Sequence, residues 1–504
     1  MNKKLLNLLL VVMMLAVLVP TALAAPPAQE GQDYVVVADD WLSKLADKYL
    51  GNPLAYPAIT HYTNQKQKED DSYAKITDSD LIEVGWKIYI PSAAEAEAYL
   101  EAPTVETVAT GEDTIKIGGI GPLSAPGSVV GGIAMKFAME LAVKDVNDAG
   151  GVLGKPIELI FADTEGLPER GVAVAERLIT ENKVVAITGE YHSAVGIPIA
   201  DVCHEYGIPV LFSETWSDTI TATGYPEVFR IAPASSMNAR ATAEWFAAVG
   251  VKHVVSIVEN TDYGIGQNES DQAFYEELGI TSDEVFFVEL GTEDFLPVLS
   301  RVQAIDPPPD AIRMAVTGET SYNVEQQMAE LGIAPSERTI GTANQVAIQP
   351  EFWESVPNGN YYVYSLVGLP PSLYNDTTNY VADAYKAEFD TDPPSYALEA
   401  YDSIRILADA IERAGTTEPT AMIDALEDTD INLAQGRYWF KYTSKNPLPT
   451  DGSVPAYMWH QWPDPAVLLL QYFEPNQDWK EAAVVWPEVY QTHGTSYIVP
   501  GTTP

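Results

Sequence analysis

The sequence has a single cysteine, Cys203, so no internal disulfide can form and stability must come from burial of apolar side chains. Basic residues are scarce, because 28 Lys and Arg stand against 72 Asp and Glu, for a formal net charge of −44. This imbalance argues against nucleic acid and anionic membranes as partners. After the first two dozen residues no apolar run approaches the roughly 20 residues that a membrane helix requires.

The recognised catalytic signatures are also missing. The sequence has no His-Glu-x-x-His helix, no Gly-x-Ser-x-Gly elbow and no phosphate loop that ends in Gly-Lys-Ser/Thr. Gly118, Gly119 and Gly121 follow an apolar run but lack the dinucleotide spacing. We therefore predict a protein that is not an enzyme and that needs no cofactor or metal.

The first 24 residues have the three parts of a secretory signal. Lys3 and Lys4 form the charged start, residues 5–19 the apolar run, and Ala-Leu-Ala at 22–24 the small-residue cleavage site. A lipoprotein would need a cysteine just after that site, and Cys203 lies far downstream. The prediction is a signal peptide over residues 1–24 and an exported, soluble mature chain without a lipid anchor.

The remaining chain has three parts with different compositions. Residues 34–91 mix aromatic and charged residues and end at a proline, while residues 92–113 are rich in Ala, Glu and Thr, which is typical of an exposed linker. From Thr114 onward, apolar runs such as TIKIGGIG (114–121) alternate with amphipathic segments such as IAMKFAMELAVKDVN (133–147). A second series begins at HVVSIVEN (253–260), and two such series predict two Rossmann-like α/β lobes with parallel sheets.

Residues 34–91 resemble a LysM domain of βααβ form. The resemblance is carried by YVV (34–36) as a first strand, DWLSKLA (40–46) opening the first helix, YPAI (56–59) leading into the second, Asn64 after it, and the closing VGWKIYIP (84–91). It implies binding to polymers that contain N-acetylglucosamine, chiefly peptidoglycan. The alternative is a folded spacer without glycan affinity, since a fold does not guarantee its usual function.

Residues 114–490 resemble the leucine/isoleucine/valine-binding family of type I periplasmic binding proteins. The resemblance is carried by residues 115–132, 145–179, 188–221 and 257–266, in the family's order and spacing. It implies two lobes joined by a three-segment hinge, with the ligand in the cleft between them. The expected crossings are 231–236, 361–367 and 436–450, which places lobe 1 at about 114–233 and 364–440 and lobe 2 at about 234–363 and 441–490.

The same resemblance implies a set of ligand-binding residues. Ser193 begins a helix after the strand VVAIT, where free backbone N–H groups and the helix dipole attract a carboxylate; the ordinary alternative is a helix N-cap. Tyr263 matches a second-lobe tyrosine that covers the ligand, and Tyr396 an aromatic position of lobe 1. The complete candidate set is Tyr191, Ser193, Glu214, Thr215, Trp216, Tyr263, Asn344 and Tyr396.

One position departs from the family pattern. Amino-acid binders place a second-lobe glutamate against the ligand ammonium, but IGTANQVA (340–347) offers Ala343 and Asn344 at that place. Either Glu214 takes that charge, or the ligand is an amide, a urea-like solute or a small aromatic acid. The resemblance implies an ABC importer and its membrane permease as partner, with a solute-sensing receptor as the alternative.

Overall fold

The computed structural model describes residues 31–37, 41–51, 55–70, 72–76, 82, 84–93, 95–96, 107–108, 114–318, 320–349 and 351–504. The predicted signal peptide at 1–24 lies outside the described residues. The chain divides into two compact units, and the boundary lies between Pro103 and Thr104. Within the described ranges, no helix has the length and apolar character that a membrane span needs.

The first unit is a small βααβ module. Its elements are β1 (Gln32–Val35), α1 (Leu42–Leu50), α2 (Tyr56–Glu69) and β2 (Lys87–Ile90), and the two strands pair antiparallel. Its core includes Leu45, Ile59 and Ile88. The second helix continues through Asn64 instead of ending before it. The Asn64 side chain donates its N–H to the Ile76 carbonyl and accepts the Ile76 N–H.

The predicted linker at 92–113 is only partly separate from the folded units. Ser92 donates its N–H to the Glu95 carboxylate at 2.7 Å, and Tyr62 donates to the Glu95 carbonyl, so this stretch extends the first unit. Further on, β3 (Thr107–Val108) pairs antiparallel with a strand of the second unit. The composition of this stretch did not indicate either contact.

The second unit begins with a six-stranded sheet, lobe 1. Its elements in chain order are β4 (Ile115–Gly121), α3 (Val129–Asp148), β5 (Ile157–Asp163), α4 (Pro168–Arg177), β6 (Ala186–Gly189), α5 (Ser193–Tyr206), β7 (Val210–Phe212), α6 (Thr219–Ala222) and β8 (Val228–Arg230). The strand order is β3-β5-β4-β6-β7-β8, and every pair except β3 with β5 is parallel. A β-carbon at Gly132 would overlap the carbonyl oxygen of Pro122, so glycine lets α3 start against the loop after β4.

Lobe 2 is built on a seven-stranded sheet. Its elements are α7 (Ser235–Ala248), β9 (His253–Glu259), α8 (Asp262–Leu278), β10 (Thr281–Val288), α9 (Leu296–Gln303), β11 (Ala311–Ala315), α10 (Thr320–Glu330), β12 (Ile340–Ala343), α11 (Phe352–Ser355) and β13 (Val363–Val367). The chain then returns to lobe 1 as α12 (Asp376–Phe389), α13 (Ser395–Ala414), α14 (Pro419–Glu427) and the hairpin β14 (Asp430–Leu433) with β15 (Gly436–Trp439). Finally β16 (Val467–Gln471) and β17 (Ala483–Trp486) complete the sheet order β10-β9-β11-β12-β13-β16-β17.

The chain passes between the lobes three times, at about 231–234, 368–375 and 463–466. The second passage was expected at 361–367, but residues 363–367 are strand β13 of lobe 2. The third was expected at 436–450, but β15 pairs with β14, and the stretch before β16 still pairs with β8, since Arg230 donates its N–H to the His460 carbonyl. Lobe 2 also extends past 490, because Ile498 is buried and hydrogen bonded to Gln471.

Candidate functional site

A cleft between the two lobes contains the candidate site. It holds about 530 Å³ of space not occupied by protein atoms, open solvent included. Lobe 1 supplies one wall, made of Tyr191, His192, Ser193, Glu214 and Trp216. Lobe 2 supplies the other, made of Asn238, Tyr263, Arg313, Met314, Val316, Thr317, Ala343, Asn344 and Ser365. The lobe 1 wall lies just after the carboxyl ends of β6 and β7, where α/β sheets usually bind ligands.

The turn after β6 aims the first three residues of the lobe 1 wall. Gly189 and Glu190 both have positive φ angles, of 116° and 62°, which reverses the chain sharply at the end of the strand. The Glu190 carboxylate accepts the backbone N–H groups of Tyr191 at 3.0 Å and His192 at 2.9 Å. Burial raises the pKa of Glu190 to about 7. The buried carboxyl group therefore holds the turn that presents Tyr191 to the cleft.

Ser193 connects the two loops of the lobe 1 wall. It is the first residue of α5, only 2% exposed, and its Oγ accepts the backbone N–H groups of Trp216 and Ser217, each at 3.0 Å. These bonds use the oxygen lone pairs, so the hydroxyl hydrogen is left to donate into the cleft. The residue that the sequence assigns to the ligand thus also fixes the loop that carries Trp216.

His192 is a neutral member of the wall. Its Nε2 accepts the backbone N–H of Ser128 at 3.0 Å, which requires an unprotonated nitrogen. Burial lowers the pKa of His192 to about 4. Lobe 1 therefore brings no cationic side chain to the cleft at this position.

Two glutamates lie close together at the lobe 1 wall, and only the first of them, Glu214, lines the cleft. Glu214 is 4% exposed and Glu399, on α13, is fully buried. Burial and the neighbouring Glu214 raise the pKa of Glu399 well above its usual range. Burial also raises the pKa of Asp402 to about 7. Glu214 is the carboxyl group that lines the cleft on the lobe 1 side.

Aromatic rings join the lobes above this acidic wall. Trp216 of lobe 1 and Tyr263 of lobe 2 meet edge to face, with ring centroids 6.4 Å apart. A β-carbon at Gly264 would overlap the carbonyl oxygen of Glu259, so glycine lets α8 begin directly against the end of β9 and directs Tyr263 toward Trp216. The two rings therefore lie on opposite sides of a closed cleft.

The structure brings six of the eight candidate residues to one cavity. Tyr191, Ser193, Glu214, Trp216, Tyr263 and Asn344 line it. Thr215 does not, because it is fully buried and its carbonyl accepts a hydrogen bond from Arg230. Tyr396 lies one layer behind: its ring packs on Tyr191 at 5.4 Å, and its hydroxyl accepts a hydrogen bond from Gln349 of lobe 2.

Sequence reasoning missed several lining residues, above all Arg313 and Asn238. Arg313 stands within the apolar run AIRMA of β11, and a charged residue in a buried strand is a signal that could have identified it. Asn238 lies on α7 in a polar stretch and gave no such signal. His192 directly precedes the predicted Ser193 in the sequence and also gave no such signal.

The comparisons with known proteins agree with this architecture. A family model described as periplasmic binding protein matches residues 114–451. The chain belongs to the periplasmic binding protein family. Membership makes it a solute-binding protein and not an enzyme, and the two α/β lobes confirm the predicted type I fold.

Relatives of this chain are named for the binding of amino acids. An amino acid binding protein of Pseudomonas aeruginosa is 25% identical over 329 residues, which are 64% of this chain and 83% of the relative. A Leu/Ile/Val-binding protein homolog of Brucella melitensis is 24% identical over 373 residues, 73% of this chain and 97% of the relative.

Solved structures share the fold at lower identity. A branched-chain amino acid transporter substrate binding protein from Streptococcus pneumoniae, in complex with isoleucine, has a TM-score of 0.62 and 22% identity, and covers 74% of this chain and 100% of its own. A solute binding protein of an R. palustris ABC transporter, in complex with benzoate, has a TM-score of 0.60 and 18% identity, and covers 72% and 94%.

Proposed function

We propose that this periplasmic binding protein is the exported solute receptor of an ABC importer and that it presents its closed form to a membrane permease. The observation that carries the proposal is the cavity between the lobes, which is lined by residues that the sequence resemblance selects. Named relatives of the Leu/Ile/Val-binding type support a branched-chain or related amino acid as the solute. A sensing role would use the same closed form but a different membrane partner.

Closure explains how such a site selects its solute. A ligand shifts the equilibrium toward the closed form only by the contacts that the closed form adds. Lobe 1 offers the Ser193 hydroxyl and Glu214, while lobe 2 adds Tyr263, Asn344 and the rest of its wall. A solute that contacts only one wall binds without driving closure. Recognition by the permease therefore requires a solute that contacts both walls.

A second candidate class is a small aromatic acid. The benzoate complex of the R. palustris protein shows that a protein of this fold binds such an acid. In this chain the cleft has aromatic rings from Tyr191, Trp216 and Tyr263, which suit a flat apolar body as well as a branched aliphatic one. Amides and urea-like solutes remain candidates because no glutamate takes the place of Ala343 or Asn344.

A thermal-shift screen tests the solute proposal. A solute that binds only the folded state stabilises it by roughly 2.7 kcal/mol at a hundredfold excess over its Kd. We expect one class among branched-chain amino acids, aromatic acids, amides and urea to raise the melting temperature of the full chain. If none of them does, the chain is not a receptor for small solutes of these classes.

We further propose that the first unit is a LysM domain that tethers the protein to peptidoglycan. Its βααβ arrangement supports this proposal. So do the two motifs, because 34–36 overlaps the end of β1 and 84–91 contains β2. Residues 38–40 and 77–81, which precede α1 and β2, lie outside the described residues. Binding to peptidoglycan can be tested before the solute is known, because the proposed tether acts independently of the solute.

Removal of residues 34–91 should abolish retention on purified peptidoglycan and leave solute affinity unchanged. The reason is that each of the two units is compact by itself. Co-sedimentation with purified sacculi and titration of the solute found in the thermal screen measure the two effects. A shortened chain that still sediments with the sacculi would contradict the tether.

A further inference from the structure

Arg313 places a buried positive charge in the lobe 2 wall. Its side chain is 5% exposed, its Nε donates to Asp271 Oδ2 at 2.9 Å, and its Nη2 donates to Asn238 Oδ1 at 2.6 Å. Burial alone would lower the pKa of Arg313, but the Asp271 carboxylate raises it above its usual value, so the guanidinium stays charged. A guanidinium has five N–H donors, and this one keeps donors for a ligand in the cavity that it lines.

Asn238 adds a second donor beside this guanidinium. It is 1% exposed and lines the cavity, and its Oδ1 accepts a hydrogen bond from Arg313, which fixes the orientation of the amide. Nδ2 is buried and has no hydrogen-bond partner among the described residues. A buried donor without an acceptor is costly, and a ligand oxygen would remove that cost.

Asp271 takes the Nε donor of Arg313, and two other acids of lobe 2, Glu259 and Glu325, do not compete for the donors that remain. The Glu259 carboxylate accepts from Thr261 and Thr317. Burial raises the pKa of Glu325 to about 8, so that carboxyl group is neutral at pH 7. Across the cleft, the lobe 1 wall presents the carboxyl group of Glu214. The remaining donors of the guanidinium and the Asn238 amide therefore favour a ligand whose anionic end faces lobe 2, which is opposite to a second-lobe glutamate that would hold an ammonium group.

We propose that Arg313 and Asn238 are specificity-determining residues that together bind a carboxylate of the ligand from lobe 2. The ligand class is a small carboxylic acid, and where it also has an amino group, that group faces Glu214. The chemistry fits because a planar guanidinium and a neighbouring amide N–H can engage both oxygens of one carboxylate. This inference rests on the proposed solute-binding function and names the class of solute.

The test compares acids with their uncharged amides on the full chain. The probes are benzoate with benzamide, and L-isoleucine with L-isoleucinamide, measured by calorimetric titration. We expect the better-binding acid to exceed its amide by about 10- to 100-fold, which is the effect of losing one charge-assisted hydrogen bond. The double variant Arg313→Gln with Asp271→Asn removes the ion pair without leaving a buried charge, and it should bring acid and amide to about equal affinity.

Two further variants keep the test decisive. Asn238→Asp has nearly the same shape and still accepts from Arg313, but it replaces the free donor by an anion, so acids should lose affinity about 10-fold or more and amides should not. Arg240→Gln removes a cation from the exposed face of the same helix, where its partner is Glu244, and should leave the preference unchanged.

The possible results distinguish failure of the carboxylate assignment from failure of the proposed solute-binding function. If neither acids nor amides bind, both are overturned. If amides bind the unmodified protein as well as acids do, or if acids keep their advantage in both the double variant and Asn238→Asp, solute binding stands and the assignment of the carboxylate to lobe 2 is overturned. If the double variant does not fold, Asn238→Asp alone decides.

Discussion

Replacement of Ser193 by alanine is expected to lower the free energy of unfolding by roughly 2–6 kcal/mol. The hydroxyl oxygen accepts the N–H groups of Trp216 and Ser217 in a buried setting, and each buried donor left without an acceptor costs about 1–3 kcal/mol. Solute affinity should fall as well, because the loop that carries Trp216 loses its anchor. Urea unfolding and calorimetric titration measure the two effects.

Ser128→Ala is the matched control for this prediction. Ser128 is about as buried, at 4% exposure, but its Oγ accepts a single N–H, from Gly131 at 3.3 Å, as the N-cap of α3. The loss of such a cap costs about 1 kcal/mol. Equal destabilisation by the two alanine variants would show that Ser193 is an ordinary helix-terminal serine and that the loop does not depend on it.

The fold could be predicted from the sequence because its signal is local and repeated. Alternating apolar runs and amphipathic segments, such as 114–121 followed by 133–147, correspond to β4 and α3 within a few residues. The crossings between lobes could not be placed as well. Residues 363–367 have an apolar alternation that suits a strand, but whether a strand pairs in one lobe or the other depends on long-range hydrogen bonds, here those with β16.

The candidate site was predictable on the lobe 1 side for the same reason. Tyr191, Ser193, Glu214 and Trp216 follow two neighbouring parallel strands, so their loops meet at one edge of the sheet. On the lobe 2 side, Arg313 belongs to a strand interior, and its exposure to the cleft depends on how α7 and α8 pack over β11. Asp271 and Asn238, which orient the guanidinium, lie 42 and 75 residues away in sequence.

Tyr263→Ala is expected to weaken solute binding by about 2 kcal/mol, or roughly 30-fold, because that is the cost of truncating an aromatic hot-spot residue at the centre of an interface. Tyr263 is half-buried on lobe 2 and meets Trp216 of lobe 1, so its ring contributes only when the lobes are together. At saturating solute the variant should also stay more open, with a larger radius of gyration in solution scattering than the unmodified protein.

Tyr263→Phe separates closure from chemistry at the same position. Phenylalanine keeps the edge-to-face contact with Trp216 and removes only the hydroxyl, so the solute-bound variant should close fully even if its affinity changes. Because closure requires contacts that exist only in the closed form, the alanine variant should fail where the phenylalanine variant succeeds. An alanine variant that binds normally and closes fully would show that this tyrosine does not cover the cleft, and the alignment that also selected Glu214 and Trp216 would lose its support.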